Sequence, residues 1–379
     1  MQQLRQTSPS IRGTCPAVQE GKPEARQAAS KPRLWRWVII SAVSRASTGA
    51  VLFVLLGGLA ACTRPPAAEV ADVRNVVIDH DGGVDDLVAI ALLMRSPAVH
   101  VRAITICPAD SYLEPATKAT QLFVDRLGGT NITIAQGHAE GTNPFPAQWR
   151  GDAGHVLDIP ALAGARPPSA NPIVAEDATH HLVSVLSGTQ AFTILETGPL
   201  TNIADALALR PSIAKNITRI YVMGGAVRVK GNVEHAGHDG SAEWNIFNQP
   251  QAAADVIRSG IPITLVPLDA TNSVPLRKTF LDRLKTQPSV ASQLASQAWG
   301  ATYTFQQQGV TPYFFWDTLT AAVLLDRSLA TITSLKVRVV TDGASQGRTV
   351  EDPAGTLVEV ALDANRERVE NIFLDVLRR

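Results

Sequence analysis

Apolar runs of strand length alternate with stretches of helical periodicity through most of the chain. Six apolar runs are predicted to form strands, at residues 75–78, 100–106, 132–135, 191–196, 217–223 and 262–267. Five stretches with helical spacing of apolar residues are predicted to form helices, at residues 85–94, 115–127, 175–186, 202–209 and 249–259. This alternation predicts an α/β fold in which a parallel sheet carries helices on both faces.

Later segments extend this pattern. The run Ile220-Tyr221-Val222-Met223 is apolar throughout, as expected of a strand that is covered on both faces. Residues 335–341 and 356–362 alternate more, which predicts an antiparallel pair, and residues 363–377 are predicted to form a closing helix. We therefore expect one domain at 75–379, with a mostly parallel, Rossmann-like central sheet flanked by helices and a late antiparallel extension.

The N-terminal part has a different character. Residues 1–36 are polar and lack apolar periodicity, which predicts a disordered tail. The dense apolar run at 51–56 follows Arg45, and its apolar core is short for a membrane span but suits a secretory signal. The ending Leu59-Ala60-Ala61-Cys62 resembles a bacterial lipobox, in which the chain is cut before the cysteine and its thiol is lipidated.

This pattern divides the N-terminal part into a basic tail with a signal and lipobox segment, 1–62, and a tether, 63–74. It predicts an exported protein, held to the membrane by a lipid on Cys62 and facing the periplasm or the cell exterior. An uncleaved N-terminal anchor and a soluble protein released by cleavage are alternatives. Because the tail is long for a signal peptide, translation from a later codon such as Val38 or Val43 is a further hypothesis.

Charge and cysteine content narrow the classes of function. The 379 residues are 45% hydrophobic and 18% charged, with 34 basic and 34 acidic side chains. That composition is typical of a globular protein, and the absence of a net positive charge argues against a nucleic-acid partner. The cysteines Cys15, Cys62 and Cys107 lie in three different contexts and indicate no disulfide framework.

An acidic loop follows the first predicted strand. Asp79, Asp81, Asp85 and Asp86 lie within eight residues at a strand-to-helix turn. Capping of the following helix explains one or two of these acids, but not four. Four carboxylates at one turn repel each other unless a cation neutralises them, and hard oxygen ligands favour Ca²⁺ or Mg²⁺.

The loop and four later segments resemble the inosine-uridine nucleoside hydrolase family. The matching segments occur in the family's order and are Asp79–Asp86, Glu196–Asn202, Val222–Ala226, Ala242–Ile246 and Trp316-Asp317. The resemblance as a whole covers roughly residues 75–379. The resemblance implies an enzyme that hydrolyses the N-glycosidic bond of a nucleoside, with Ca²⁺ as cofactor.

Residue roles follow from the resemblance, position by position. It implies that Ca²⁺ is held by three carboxylates and one main-chain carbonyl, those of Asp81, Asp86, Asp317 and Thr197. It implies that four side chains hold the ribose hydroxyls, those of Asp85, Asn232, Glu243 and Asn245. Asp81 would also take a proton from the calcium-bound water, which a divalent cation makes more acidic.

Further features resemble the purine-preferring branch of the family. Residues 143–150 resemble its Asn-Pro-Phe-Pro-x-x-Trp-Arg loop, and Trp316 stands where many other members have a histidine. The resemblance implies that Trp149 and Trp316 stack on the base and that Asp110 contacts the base edge. Gly83 departs from this branch, which usually has Asn there, so one ribose contact is expected to be missing.

Three functions remain open from the sequence. The first is hydrolysis of purine ribonucleosides to ribose and free base. The second is hydrolysis of another ribonucleoside, either a pyrimidine or a modified one. The third is a nucleoside-binding lipoprotein that has lost catalysis. Family members are often dimers or tetramers, so a homo-oligomer is a further expectation.

Overall fold

The computed structural model describes residues 73–138, 140–163, 169–301 and 313–379. The predicted tail, the lipobox with Cys62 and the tether up to residue 72 lie outside the described residues. All described residues belong to one compact unit, Ala68–Arg379. Within the described ranges, no helix has both the length and the apolar character needed to cross a membrane.

The described strands form one sheet of mixed direction. The strands are Arg74–His80 (β1), Val99–Ile106 (β2), Thr133–Gln136 (β3), Phe192–Glu196 (β4), Ile217–Met223 (β5), Ile263–Val266 (β6), Ala330–Val339 (β7), Thr349–Glu351 (β8) and Thr356–Ala364 (β9). Their order is β3-β2-β1-β4-β5-β6-β9-β7-β8. The pairs from β3 to β9 are parallel, and β7 pairs antiparallel with both β9 and β8. The predicted fold class, including the late antiparallel part, is confirmed.

Helices cover this sheet and connect its parallel strands. They are Val84–Arg95 (α1), Leu113–Arg126 (α2), Asp152–Val156 (α3), Ala178–Leu186 (α4), Thr201–Leu209 (α5), Trp244–Asn248 (α6), Pro250–Arg258 (α7), Leu268–Thr271 (α8), Lys278–Lys285 (α9), Val290–Ala301 (α10), Trp316–Leu325 (α11) and Arg366–Leu377 (α12). The helix predicted from residue 175 begins later, at Ala178, because the Asp177 carboxylate caps its first turn.

Two apolar layers lie on opposite faces of the sheet. Side chains alternate along β1, so that Val76 and Ile78 pack in one layer and Val77 packs in the other. The first layer contains α1, α2 and α9 to α12, and the second contains α4, α5 and α7. Both faces are therefore covered, which explains why the central strands carry apolar side chains on both faces of the sheet.

The strand order fixes the position of the site. Connections run one way from β1 to β2 and β3, and the other way from β4 to β5 and β6, so the order reverses between β1 and β4. In open parallel sheets, ligands bind beyond the carboxyl ends of the strands at such a reversal. The acidic loop follows β1, and the segment Thr197–Thr201 follows β4, so both lie at this point.

Candidate active site

The acidic loop is a short turn between β1 and α1. Gly82 adopts a φ of +89°, a left-handed conformation that favours glycine, and a Cβ there would lie 2.5 Å from the Ala116 Cβ. The Asp86 carboxylate accepts a hydrogen bond from the Gly83 amide at 2.8 Å and so caps its own helix. Helix capping, which the sequence offered as an explanation for one or two acids of this loop, therefore accounts for one carboxylate oxygen of Asp86.

The carboxylates of the loop are buried. Asp81, Asp85 and Asp86 are 2%, 4% and 1% exposed. Asp86 accepts a second hydrogen bond, from the Thr197 hydroxyl at 2.5 Å. The Oδ2 atom of Asp81, in contrast, is buried and has no hydrogen-bond partner among the described residues. A buried, unpartnered carboxylate oxygen is costly and indicates a missing ligand.

Asp317 joins this group from a distant part of the chain. It lies in the first turn of α11, and its amide donates to Asp85 Oδ2 at 3.4 Å. The hydroxyl of Tyr313 donates to the other oxygen of Asp85 at 3.0 Å. Asp81, Asp85 and Asp86 therefore lie together at the carboxyl end of β1, and Asp317 joins them from α11.

Burial and, after it, repulsion between carboxylates oppose ionisation in this acidic cluster, which consists of Asp81, Asp85, Asp86 and Asp317. Burial and the charge of neighbouring carboxylates raise the pKa of Asp81 and of Asp317 well above the usual value. Burial and the charge of Asp86 raise the pKa of Asp85 to about 6. Burial opposes ionisation of Asp86 as well, but contacts with His80 and the Thr197 hydroxyl outweigh it and lower the pKa. The protein alone does not accommodate four ionised carboxylates here.

The donor set suits a hard divalent cation. Carboxylate and carbonyl oxygens are the ligands that Ca²⁺ prefers, and the unpartnered Asp81 Oδ2 is available to bind one. Among the described residues, however, no three His, Cys, Asp or Glu side chains already have the spacing of a metal centre. The main-chain carbonyl of Thr197, the fourth predicted ligand, accepts from the Asn245 amide at 3.0 Å. Cation binding would therefore require these side chains to turn toward the ion.

The turn after β4 holds Thr197 against the acidic loop. The Thr197 amide donates to the Asp79 carbonyl at 2.9 Å. Leu200 adopts a left-handed φ of 61°, which is strained for a leucine. The buried Glu196 carboxylate supports this turn by accepting from the Gly198 amide at 2.9 Å, and burial raises the pKa of Glu196 well above its usual value. The sequence alone did not predict this role of Glu196.

Asp79 faces away from the cluster. Its Oδ1 accepts from the Thr105 hydroxyl at 2.7 Å and from the Asn202 amide at 2.9 Å. Both partners lie at the ends of neighbouring elements, β2 and α5. Asp79 therefore ties the carboxyl ends of the strands together and positions the loop that follows it.

The remaining predicted ribose residues lie near the start of α6. Glu243 caps this helix, and its carboxylate accepts from the Asn245 and Gly225 amides, each at 3.0 Å. The Asn245 side chain donates to the carbonyls of Thr197 and Met223. Asn232 is exposed, and its Oδ1 accepts from the Trp244 amide at 3.2 Å. Asn245 thus links α6 to the acidic loop through Thr197, while Asn232 supports the segment before it.

The two predicted stacking tryptophans have different surroundings. Trp149 is 40% exposed and contacts the Trp244 ring edge-on at 5.3 Å between centroids. Trp316 is half-buried, contacts the Tyr313 ring at 4.7 Å, and leaves its Nε1 without a hydrogen-bond partner among the described residues. Trp149 is thus the more exposed of the two, whereas Trp316 packs against Tyr313 in the segment that carries Asp317.

Arg150 joins the two loops that carry Asp110 and Trp149. Its guanidinium donates to the Pro108 carbonyl at 3.2 Å and lies 4.5 Å from the centroid of the Tyr112 ring. Its carbonyl accepts from the Ser111 hydroxyl at 3.2 Å. Arg150 belongs to the motif at residues 143–150, but the sequence predicted no role for it. Its contact with the Pro108 carbonyl spans about 40 residues and could not be foreseen from the motif.

Comparisons with known proteins agree with this geometry. The sequence profile described as "Inosine-uridine preferring nucleoside hydrolase" matches residues 76–371, and the chain belongs to this family. It is a nucleoside hydrolase, an enzyme that hydrolyses ribonucleosides. The chain is 31% identical over 318 residues to "Non-specific ribonucleoside hydrolase RihC" of Salmonella agona, a match that covers 79% of this chain and 97% of that protein.

Two further relatives are a plant protein and a solved structure. "Probable uridine nucleosidase 2" of Arabidopsis thaliana is 28% identical over 284 residues, which are 74% of this chain and 86% of that protein. The crystal structure of an inosine-uridine preferring nucleoside hydrolase from Bacillus anthracis is 38% identical, with a TM-score of 0.75 and coverage of 81% of this chain and 99% of that one. The expected family is confirmed, and the non-catalytic alternative loses its support.

Tyr313→Phe tests whether the missed tyrosine belongs to the active site. We expect kcat/KM on the best nucleoside substrate to fall by about 10- to 100-fold, because a hydrogen bond to a buried carboxylate contributes roughly 1.5–3 kcal/mol. Tyr221→Phe is the matched control, since that buried hydroxyl bonds Arg327 elsewhere in the sheet. Equal kcat/KM values for the two variants would contradict a role for Tyr313 in holding Asp85.

Proposed function

We propose that this enzyme hydrolyses purine ribonucleosides to ribose and free base, with Ca²⁺ at the acidic cluster. The observation that carries the proposal is the buried, unpartnered Asp81 Oδ2 among carboxylates that repel each other. A cation bound by Asp81, Asp86, Asp317 and the Thr197 carbonyl would neutralise this charge and make water more acidic. Asp81 would bind the cation through one carboxylate oxygen and accept a proton from the attacking water with the other.

The same carboxylates suit the charge that develops on the sugar. Cleavage of a glycosidic bond builds positive charge on the ribose ring in an oxocarbenium-like transition state. Asp85, which Tyr313 and the Asp317 amide hold in place, would accept a ribose hydroxyl and stabilise this charge. Glu243, Asn245 and Asn232 would contribute the remaining ribose contacts. A substrate that lacks a hydroxyl would lose its contact with the buried groups among these, Asp85, Glu243 and Asn245, and should be rejected.

The proposed purine preference depends on the aromatic residues. Trp149, which is 40% exposed, would provide one stacking surface, and Trp316, directly before Asp317, would provide the other. Asp110 would contact the substrate from the neighbouring loop. A broader range of bases is the second candidate, because relatives carry the names "uridine nucleosidase" and "non-specific ribonucleoside hydrolase".

Metal removal tests the proposed cofactor. We expect activity on inosine to disappear after chelation and to return when Ca²⁺ is added back, as measured by release of hypoxanthine.

Asp81→Asn should lower kcat by at least about 100-fold, because general-base catalysis contributes that much. The exposed Asp158→Asn is the control and should keep full activity. Turnover that survives chelation, or a fully active Asp81→Asn enzyme, would rule out this mechanism.

Substitution of Trp149 tests the base preference. Trp149→Ala should raise KM for inosine by about 5- to 100-fold, because stacking on an aromatic ring contributes ~1–3 kcal/mol per base. Trp149→Phe keeps a ring and should recover part of the affinity. The effect on uridine should be smaller, since a pyrimidine has less ring surface to stack. Equal effects on both substrates would favour the broader range of bases.

We also propose that the enzyme is exported and anchored through a lipid on Cys62. The support is the sequence alone, namely the apolar run at 51–56 and the lipobox-like Leu59-Ala60-Ala61-Cys62. When the full-length gene is expressed in a bacterial host, radiolabelled palmitate should enter the wild-type protein but not Cys62→Ala. Cys107→Ala is the control, since that thiol is buried. Labelling that persists in Cys62→Ala would show that Cys62 is not the lipidated residue.

A further inference from the structure

The segment that carries Trp149, residues 140–150, packs on the short helix α6. We call this segment the tryptophan loop. Within it, Phe145 is buried against Trp244 of α6, with 5.2 Å between the ring centroids, and Trp149 lies edge-on to the same Trp244 ring. The position of Trp149 therefore depends on how the loop is attached to α6.

The last residue of α6, Asn248, binds the first part of the tryptophan loop. Its side chain is completely buried, and its Nδ2 donates to the carbonyl of Glu140 at 3.1 Å and to the carbonyl of Asn143 at 3.2 Å. In the other direction, the backbone amide of Asn143 donates to the Asn248 carbonyl at 3.0 Å, and the Asn143 side chain donates to the Phe247 carbonyl at 2.8 Å. These hydrogen bonds join the loop to the C-terminal end of α6.

Gly141 allows the loop to approach Asn248 this closely. Its φ of +79° is left-handed, and a Cβ at this position would lie 1.8 Å from Asn248 Oδ1. That Oδ1 atom is buried and has no hydrogen-bond partner among the described residues. The loop is thus held by the N–H groups of the Asn248 side chain and not by its oxygen. A carboxylate has the same shape but lacks these donors, so it would face two carbonyls without a hydrogen bond.

The helix α6 serves both halves of the proposed site. Glu243 and Asn245 lie at its start, and Asn245 donates to the Thr197 carbonyl at 3.0 Å. Asn248 lies at its end, and the helix is only five residues long. The proposed sugar contacts and the tryptophan loop are therefore attached to opposite ends of one helical turn. A change at Asn248 can detach the loop while the sugar contacts at the start of the helix remain.

We infer that Asn248 is a positioning residue for base binding, which holds the tryptophan loop on α6 so that Trp149 is fixed before the substrate binds. A ring that is already fixed loses little conformational freedom on binding, so the stacking contact adds more to affinity. The inference rests on the proposed stacking of the base on Trp149 and deepens it by naming the residue that maintains the stacking surface.

Two changes open this attachment from opposite sides, and each has a matched control in the full chain. Asn248→Asp keeps the shape but removes the donor, and Asn248→Ala removes it without adding charge. Gln249→Glu is the control for the amide-to-acid change, because the Gln249 Oε1 accepts from the Thr142 hydroxyl at 2.9 Å and a carboxylate would still accept. Gly141→Ala pushes the loop away from its own side. Gly128→Ala is its control, with the same φ of +79° but no described atom within 4 Å of the Cβ.

The kinetic effect should fall on KM. Each of the Asn248 variants and Gly141→Ala should raise KM for inosine by about 5- to 100-fold, because a loosened loop loses the stacking contact. The change in kcat should stay below about 2-fold, since the acidic cluster is untouched. The KM increase should not exceed that of Trp149→Ala, and adding Trp149→Ala should raise KM no further, because both changes remove the same contact. Calorimetric binding of ribose should stay at the wild-type level.

Hydrogen exchange gives a readout that needs no turnover. In the unliganded enzyme, peptides from residues 140–150 should exchange at least about 10-fold faster in the Asn248 variants and in Gly141→Ala than in the wild type. Gln249→Glu and Gly128→Ala should exchange like the wild type. Thermal unfolding confirms that each variant folds, and Gly141→Ala, a change in the loop itself, decides the question if the buried Asn248 tolerates no substitution.

Three results would overturn the inference. Unchanged exchange of residues 140–150 would show that Asn248 does not hold the loop. A loss of ribose binding or of kcat would mean that Asn248 supports the whole of α6 instead. Additive KM increases with Trp149→Ala would mean that Asn248 acts through another residue. If the wild-type enzyme cleaves no nucleoside, the proposed function fails, while hydrogen exchange still decides whether Asn248 holds the tryptophan loop.

Discussion

Mutual repulsion of buried carboxylates is the constraint on which the rest of this structure depends. Asp81, Asp85, Asp86 and Asp317 are nearly inaccessible to water, and an uncompensated buried charge costs several kcal/mol. Most of the partnered oxygens receive their donors from distant parts of the chain, namely the Thr197 hydroxyl and the segment from Tyr313 to Asp317. The sheet order brings these parts together, because β1 and β4 are neighbours at the point where the order reverses.

Local sequence patterns were sufficient to predict the strands and the loop around which the acidic cluster is built. The strands β1, β4 and β5 contain dense groups of apolar residues, and the acidic loop is compact in sequence, so both could be recognised without a structure. The helix α10, in contrast, is rich in serine, glutamine and alanine and was not predicted. Its burial comes from packing of Trp299 against Phe280 and Phe315, which only the folded chain brings together.

Residues that support the site were harder to predict than those that form it. Tyr313 donates to Asp85, which lies 228 residues earlier in the sequence. The aromatic residues next to Tyr313 in the sequence do not indicate that its hydroxyl will face a carboxylate. Glu196 belongs to a recognised motif, but its carboxylate folds back on the turn to bind the Gly198 amide. Arg150 likewise fixes the Asp110 loop through a carbonyl. These roles depend on side-chain direction at contacts distant in sequence, which a single sequence does not reveal.

The acidic cluster also links stability to the environment in which the enzyme works. A ligand that binds only the folded state stabilises it by RT ln(1 + [L]/Kd), so a cation that neutralises Asp81 and Asp317 would offset the cost of burying them. Without it, the raised pKa of both groups means that the folded chain binds protons that the unfolded chain would release near neutral pH. Folding is then penalised as the pH rises, and the cation removes this penalty. The proposed export to a calcium-containing compartment would therefore supply the ion where the fold needs it.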